Sequence, residues 1–355
     1  MRKQMLAAAV MAACAGTAPV VMADYTTEDG ATTLAGKMYA DFTTLRQKSD
    51  GSKTDATGTG VDVKRFYLGV THDFDEMWSA NLTTDFNYVS GDGETQLFVK
   101  KAYIQAKLSD AAVLRGGSAD MPWIPFVEGL YGNRFLENTL IDRLKFGTSA
   151  DWGLHAGGKL ADGMVNYAAS VVNGGGYKNP SRSKTMDFAG RLALVPVKGL
   201  TFAGGVYTGK LGKEKETDTA DAVRTATRWD LLAAYVGSNF RVGTEYFNAK
   251  NWDVTAAESD KAYGYSVWGA VNPAEKITLF ARYDYAKPHK DTNSSLKDNY
   301  YNVGVSYKAR KNVDLALAYK HDKVDNGSIS TSNGTIGGSN DGSYDEIGVW
   351  TQVVF

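Results

Sequence analysis

From Leu34 onward the chain alternates between apolar and polar residues. Leu34, Met38, Ala40 and Phe42 share one parity, and Lys37, Tyr39 and Asp41 share the other. Phe66, Leu68, Val70 and Phe74 then oppose Arg65, Tyr67, Thr71 and Asp73. The pattern is cleanest after Trp78, where Ala80, Leu82, Phe86 and Tyr88 interleave with Ser79, Asn81, Thr83, Asp85 and Asn87. Phe98, Ala102, Ile104, Ala106 and Leu108 oppose Lys101, Tyr103, Gln105 and Lys107, and Ala112–Ala119 carries Arg115 on its polar side. A period of two puts successive side chains on opposite faces of a strand. The same pattern resumes at Trp152 and continues to Phe355, with one apolar-facing set per segment. About 16 such segments can be read, each of the length a tilted strand needs to cross a bilayer.

The connections alternate in length. Turns such as Asp75–Met77, Ala161–Gly163 and Pro196–Gly199 are short. The others are long and polar: Arg46–Gly60, Val89–Gln96, Asp120–Lys145, Asn173–Thr185, Gly212–Ala226, Ala249–Lys261, Lys287–Asp298 and Asp325–Gly342. Short turns at one end and long loops at the other are the anatomy of a membrane β-barrel. Prolines stay out of strand interiors, and Trp78, Tyr88, Trp152, Trp229, Tyr263, Tyr285, Tyr301, Tyr319 and Tyr344 sit near strand ends, where interfacial girdles lie. The fold expected is all-β: a transmembrane antiparallel β-barrel. A soluble sandwich or solenoid shares the alternation but not this rhythm.

Asp120–Lys145 breaks the pattern. Pro122 and Pro125 lack an N–H and forbid regular pairing, and Phe126–Arg134 mixes aromatics, glycine and charge. This segment reads as a long third loop folded into the lumen to narrow it.

Composition narrows the picture further. Residues 1–23 have the layout of a secretory signal: Arg2 and Lys3, the short apolar core Met5–Ala13, and a cleavage site at Val21-Met22-Ala23. Met11–Cys14 is a rival, lipoprotein-like reading. The single cysteine, Cys14, lies inside this segment, so residues 24–355, read as one barrel domain, hold no thiol chemistry. Removing two basic and no acidic residues from 39 and 40 leaves a net charge of −3, which argues against a nucleic-acid partner. No apolar run is long enough for a spanning helix.

Over residues 24–355 the chain resembles the general porins of Gram-negative bacteria, by architecture and by its last strand, which ends in Phe355. The resemblance implies a third long loop, after the fifth strand, that constricts the pore. It also implies the outer membrane as location, its lipid bilayer and lipopolysaccharide as surroundings, and a homotrimer. Pro125-Phe126 with Glu128, and Phe135 with Glu137, resemble the phosphate-selective branch locally, although no dense arginine ladder is present.

A barrel of this size encloses water, so charged residues at its narrowest level set selectivity. The expected basic wall is Arg65, Lys101, Arg115, Arg191 and Arg282. The expected loop residues are Asp120, Glu128, Glu137 and Asp142, with Arg134 and Arg143 nearby. A cationic wall opposite an acidic loop makes a transverse field. The competing reading pairs these bases with inward Asp85, Asp187, Asp230, Glu245, Asp284, Asp314 and Glu346. The function expected is passive diffusion of small hydrophilic solutes and ions, with a phosphate-, anion- or sugar-specific channel as the alternative. Inward Tyr39, Tyr67, Tyr103 and Tyr207 bear on the sugar reading. An enzyme is not expected: His155 points inward, but no Ser–His–acid pattern surrounds it. No metal or cofactor is expected, since the Asp-rich stretches Asp322–Asp325 and Asn340–Asp345 lack a calcium-loop spacing.

Overall fold

The computed structural model describes residues 25–89, 94–219 and 223–355; the leader read at residues 1–23 and Cys14 lie outside them. Sixteen long strands carry the fold. The first five are β1 (Thr32–Ser49), β2 (Gly58–Asp73), β3 (Trp78–Val89), β4 (Glu94–Ser109) and β5 (Ala112–Asp120). After two short helices come β6 (Ala150–Leu160), β7 (Val165–Val172), β8 (Asp187–Val197), β9 (Leu200–Gly209) and β10 (Ala226–Val236). The last six are β11 (Phe240–Lys250), β12 (Lys261–Ala274), β13 (Ile277–Lys287), β14 (Lys297–Arg310), β15 (Val313–Asp325) and β16 (Asp341–Val354).

Each strand pairs antiparallel with the next, and β1 pairs with β16 from Lys37↔Val354 to Ser49↔Gly342. The sheet therefore closes and leaves no unpaired edge, as a backbone in lipid requires. Every segment read from alternation corresponds to one of these strands. Several run beyond their expected ends: β1 continues to Ser49, so the expected loop Arg46–Gly60 shrinks to the turn between Ser49 and Gly58. The last long connection carries its own hairpin, Ser328–Thr331 with Gly334–Gly337.

Neighbours on β6 show the two faces: Leu154 is 68% exposed and His155 is 6% exposed. Leu82, Val206, Leu231, Leu279, Leu317 and Ile347 share the outer, apolar face. That face suits lipid, and the inward face carries charge and small residues.

Two bulges shift faces in ways alternation does not show. The register passes from Tyr39↔Arg65 to Ala40↔Val63, leaving Lys64 as an extra residue. It passes from Thr83↔Lys101 to Thr84↔Val99, leaving Lys100 extra. A bulge adds one residue and reverses parity beyond it. Phe98, expected outward with Ala102 and Ile104, therefore turns inward opposite Asp85. Leu97 and Val99 take the outer face in its place. Tyr344 is a second correction. It is buried inside the barrel, not in the outer girdle, and its hydroxyl donates to Glu346 at 2.8 Å.

Candidate pore constriction

The segment after β5 folds into two short helices, α1 (Ile124–Tyr131) and α2 (Leu140–Arg143). Pro125 stands in the first turn of α1, where its missing N–H costs nothing. Gly132 ends the helix at φ +74°, its N–H bonding the Glu128 carbonyl at 2.9 Å. Ile124, Val127, Tyr131, Leu140 and Ile141 are buried against inward Leu232, Ala234, Phe247 and Trp268. Gly205 makes room for this bed: a Cβ there would lie 2.5 Å from the Trp123 ring.

Polar anchors fix the segment to β8–β15. Trp123 donates to Glu245 at 2.7 Å. Arg191 donates to the Pro122 carbonyl at 2.7 Å, and its guanidinium lies 3.8 Å from the Phe126 ring centre. Arg241 reaches Asn133 at 2.6 Å, and Arg228 donates to the Phe146 carbonyl while pairing with Asp230 at 2.8 Å. Arg282 donates to the Asn138 carbonyl at 2.6 Å and to Asp284 at 2.6 Å. Arg143 is the deepest anchor. Its guanidinium meets Asp284 at 3.1 Å, Asp298 at 2.5 Å and Asp322 at 2.8 Å, with all four side chains 0% exposed. Glu137, equally sealed, meets Lys320 at 3.5 Å and takes a hydrogen bond from Asn333 at 2.8 Å. Two other long loops cover the segment: Ser332 N–H bonds the Arg143 carbonyl at 2.7 Å, and the Trp252 indole bonds the Lys145 carbonyl at 2.9 Å.

The opposite flank is different. Arg65, Lys101, Asp120, Glu128, Arg134 and Asp142 keep side chains 14–28% exposed. Arg65 pairs with buried Asp85 at 3.0 Å, and Lys101 pairs with Asp120 at 2.6 Å. Glu128 holds Arg134, which also reaches Asp142 at 3.5 Å. Among the described residues Arg115 bonds a neutral group, Gln105, at 2.8 Å. Burial pushes the Asp142 carboxyl up, against the pull of Arg134, Lys100 and Arg65.

The sequence profile of the Gram-negative porins matches residues 7–327. The chain belongs to the Gram-negative porins. No curated protein matches. Among solved structures, the anion-selective porin from Comamonas acidovorans is similar at TM-score 0.64 and 12% identity, covering 91% of this chain and 99% of that one. OmpF of Salmonella typhi, in a complex with daunomycin, gives TM-score 0.63 at 12% identity over 94% of this chain and 100% of that one. OmpT of Vibrio cholerae, in a trimer form, gives 0.60 at 13% over 91% and 99%. At such identities these neighbours show the fold alone: this porin is a closed sixteen-stranded channel of the outer membrane.

The porin thus separates the residues singled out by sequence. Arg65, Lys101, Arg115, Asp120, Glu128, Arg134 and Asp142 are brought together on the flank facing β1, β2, β4 and β5. Arg191, Arg282, Arg143 and Glu137 are not; they are buried under the segment and hold it. Asp85 with Arg65 and Asp284 with Arg282 pair as the competing reading had it; Asp230 and Glu346 pair with other bases, Arg228 and Lys320, and Glu245 takes the Trp123 indole instead of a base. Sequence reasoning missed Lys100, which the bulge turns inward, and the anchors Arg228, Arg241, Asp298, Lys320 and Asp322. The Lys100-Lys101 doublet was a readable break in parity. It also missed Ser170, whose hydroxyl lies 2.8 Å from His155 Nδ1. His155 Nε2 has no hydrogen-bond partner among the described residues, so the pair lacks a triad's acid. Asp322 is engaged by Arg143, and Asp345 by Tyr319 and His321.

Glu137 makes the docking pH-sensitive. Burial alone would raise its carboxyl, but Lys320, Asn333, Arg282 and Arg143 more than offset this and hold it at about 2. A depressed carboxyl stabilises the docked state fully above its ordinary value of 4.5 and loses that contribution as pH falls toward about 2. Single-channel recordings on titration from pH 6 to pH 2 should show steady current until about pH 4 and growing flicker below it. Glu137→Gln should flicker already at pH 6.

Proposed function

We propose that this porin is a passive channel for small hydrophilic solutes and ions, with a preference for anions, working as a homotrimer after removal of residues 1–23. It performs no chemistry on what it passes. The observation that carries this reading is the one-sided anchorage of Asp120–Lys145. Its polar anchors gather on the β8–β15 side, and the path is read between the segment and β1–β5, where the charged side chains stay 14–28% exposed. Lys37, Arg65, Lys100, Lys101, Arg115 and Arg134 lie on that side against Asp85, Asp120, Glu128 and Asp142. Cations therefore outnumber carboxylates where the path is narrowest, which favours anions. The anion selectivity of the Comamonas acidovorans neighbour and the trimer form of the Vibrio cholerae neighbour are consistent with this.

The test is the reversal potential of the purified protein in a planar bilayer under a KCl gradient. A potential of the sign that marks chloride preference, with conductance steps in threes, supports the reading. Potassium preference overturns the anion part, and absence of current overturns the channel.

A further inference from the structure

The flank facing the opening carries rings as well as charges, and together they form an ordered series. Lys178, exposed in the loop after β7, lies 4.3 Å from the Phe98 ring centre. Phe98 stacks on Tyr177 with ring centres 5.9 Å apart and planes 20° from parallel. Lys100 lies 5.7 Å from the Tyr177 ring and 4.5 Å from the Tyr67 ring. Tyr67 meets Tyr39 edge-on at 6.0 Å, and Tyr39 meets Phe135 of the constriction segment at 6.5 Å. The strands give the series a direction. Phe98 lies near the long-loop end of β4, Lys100 follows it, Tyr67 and Tyr39 stand at mid-strand, and Lys37 is paired with Tyr67. The series thus descends from the loop mouth to the constriction.

Lys100 is the key position. It is 91% removed from solvent, and among the described residues no carboxylate lies within ion-pair distance of it. It donates to the Tyr67 hydroxyl at 3.3 Å. A lysine sealed among rings without a counter-ion is costly unless an anion comes to it. The half-buried faces of Phe98, Tyr177 and Tyr67 border the same path.

We propose that this series is a binding track for small aromatic carboxylates of the benzoate type, entering at Lys178 and handed from Lys100 toward Arg65, Lys101 and Lys37. This rests on the anion-channel reading above and names its substrate class. A carboxylate answers the ammonium groups, and its ring packs on Tyr177, Phe98 and Tyr67 in offset or edge geometry. A bare inorganic anion gains nothing from Phe98 or Tyr177. A sugar stacks on rings but also asks for hydrogen-bond acceptors at its rim, and the carboxylate opposite Phe98, Asp85, is already taken by Arg65.

The experiment measures chloride current through the reconstituted full-length channel as potassium benzoate or potassium cyclohexanecarboxylate is added. The two anions share charge and similar size, and only one has an aromatic face. Benzoate should reduce the current saturably, at about three- to tenfold lower concentration than cyclohexanecarboxylate. Phe98→Leu with Tyr177→Leu should abolish that difference and keep chloride preference; Phe98→Tyr with Tyr177→Phe should retain it. Equal block by both acids, with chloride preference intact, overturns the track and leaves the anion channel standing. Stronger block by maltose than by benzoate overturns it in favour of a sugar path. Potassium preference overturns the underlying reading itself.

Discussion

Arg143→Ala should release the constriction segment and raise the single-channel conductance. Arg143 is the only cation within ion-pair reach of Asp298 and Asp322 among the described residues, and all these side chains are fully sealed. Removing one partner of a buried pair leaves uncompensated charge and costs about 3–5 kcal/mol. Here the carboxylates left behind also repel one another. The cost falls on docking, not on the barrel, because the strand ladders do not use this side chain. The purified protein should therefore keep its β-sheet circular-dichroism signal while its channel becomes larger and noisier. Adding Asp298→Asn and Asp322→Asn to Arg143→Ala removes the stranded charges and should recover part of the original conductance. Unchanged conductance in Arg143→Ala would mean that the apolar bed of Ile124, Val127 and Leu140 holds the segment unaided.

The second large effect concerns the sign of selectivity. Lys37→Glu, Lys101→Glu and Arg115→Glu together should turn an anion-preferring channel into a cation-preferring one. None of the three belongs to the buried anchor of β8–β15: among the described residues Lys101 pairs with half-buried Asp120 at the segment's start, and Arg115 bonds Gln105. That flank then changes from six cations against four carboxylates to three against seven. The reversal potential in a KCl gradient should change sign and the effect should shrink in concentrated salt, where screening shortens the reach of each charge. A potential that keeps its sign would place the selective level elsewhere in the lumen.

Much of this was legible in the chain. Strands are legible because lipid outside and water inside force opposite chemistry onto alternate residues, so each strand declares its own faces. The break in the strand pattern at this segment was legible because Pro122 and Pro125 cannot pair. Its helices were not foreseen, since α1 and α2 are short and owe their form to the bed beneath them. The face of Phe98 was hidden because one bulge at Lys100 reverses parity without altering composition. The split of the charged residues was hidden for a different reason. Whether Arg282 lines water or pins a loop depends on which strands curvature brings opposite Asn138, 144 positions away. Local patterning carries no record of that.

The anchorage also dictates an order of events. Almost every group that fixes Asp120–Lys145 comes later in the chain: Arg191, Arg228, Arg241, Glu245, Asp284, Asp298 and Lys320. The strands before it contribute rings and the Lys101–Asp120 pair. Contacts of such separation form late, since the intervening chain must first be ordered. The aperture therefore matures only once β8–β15 are in place. Discrimination therefore depends on Arg143 reaching all three carboxylates, each supplied by a strand that follows it in the chain.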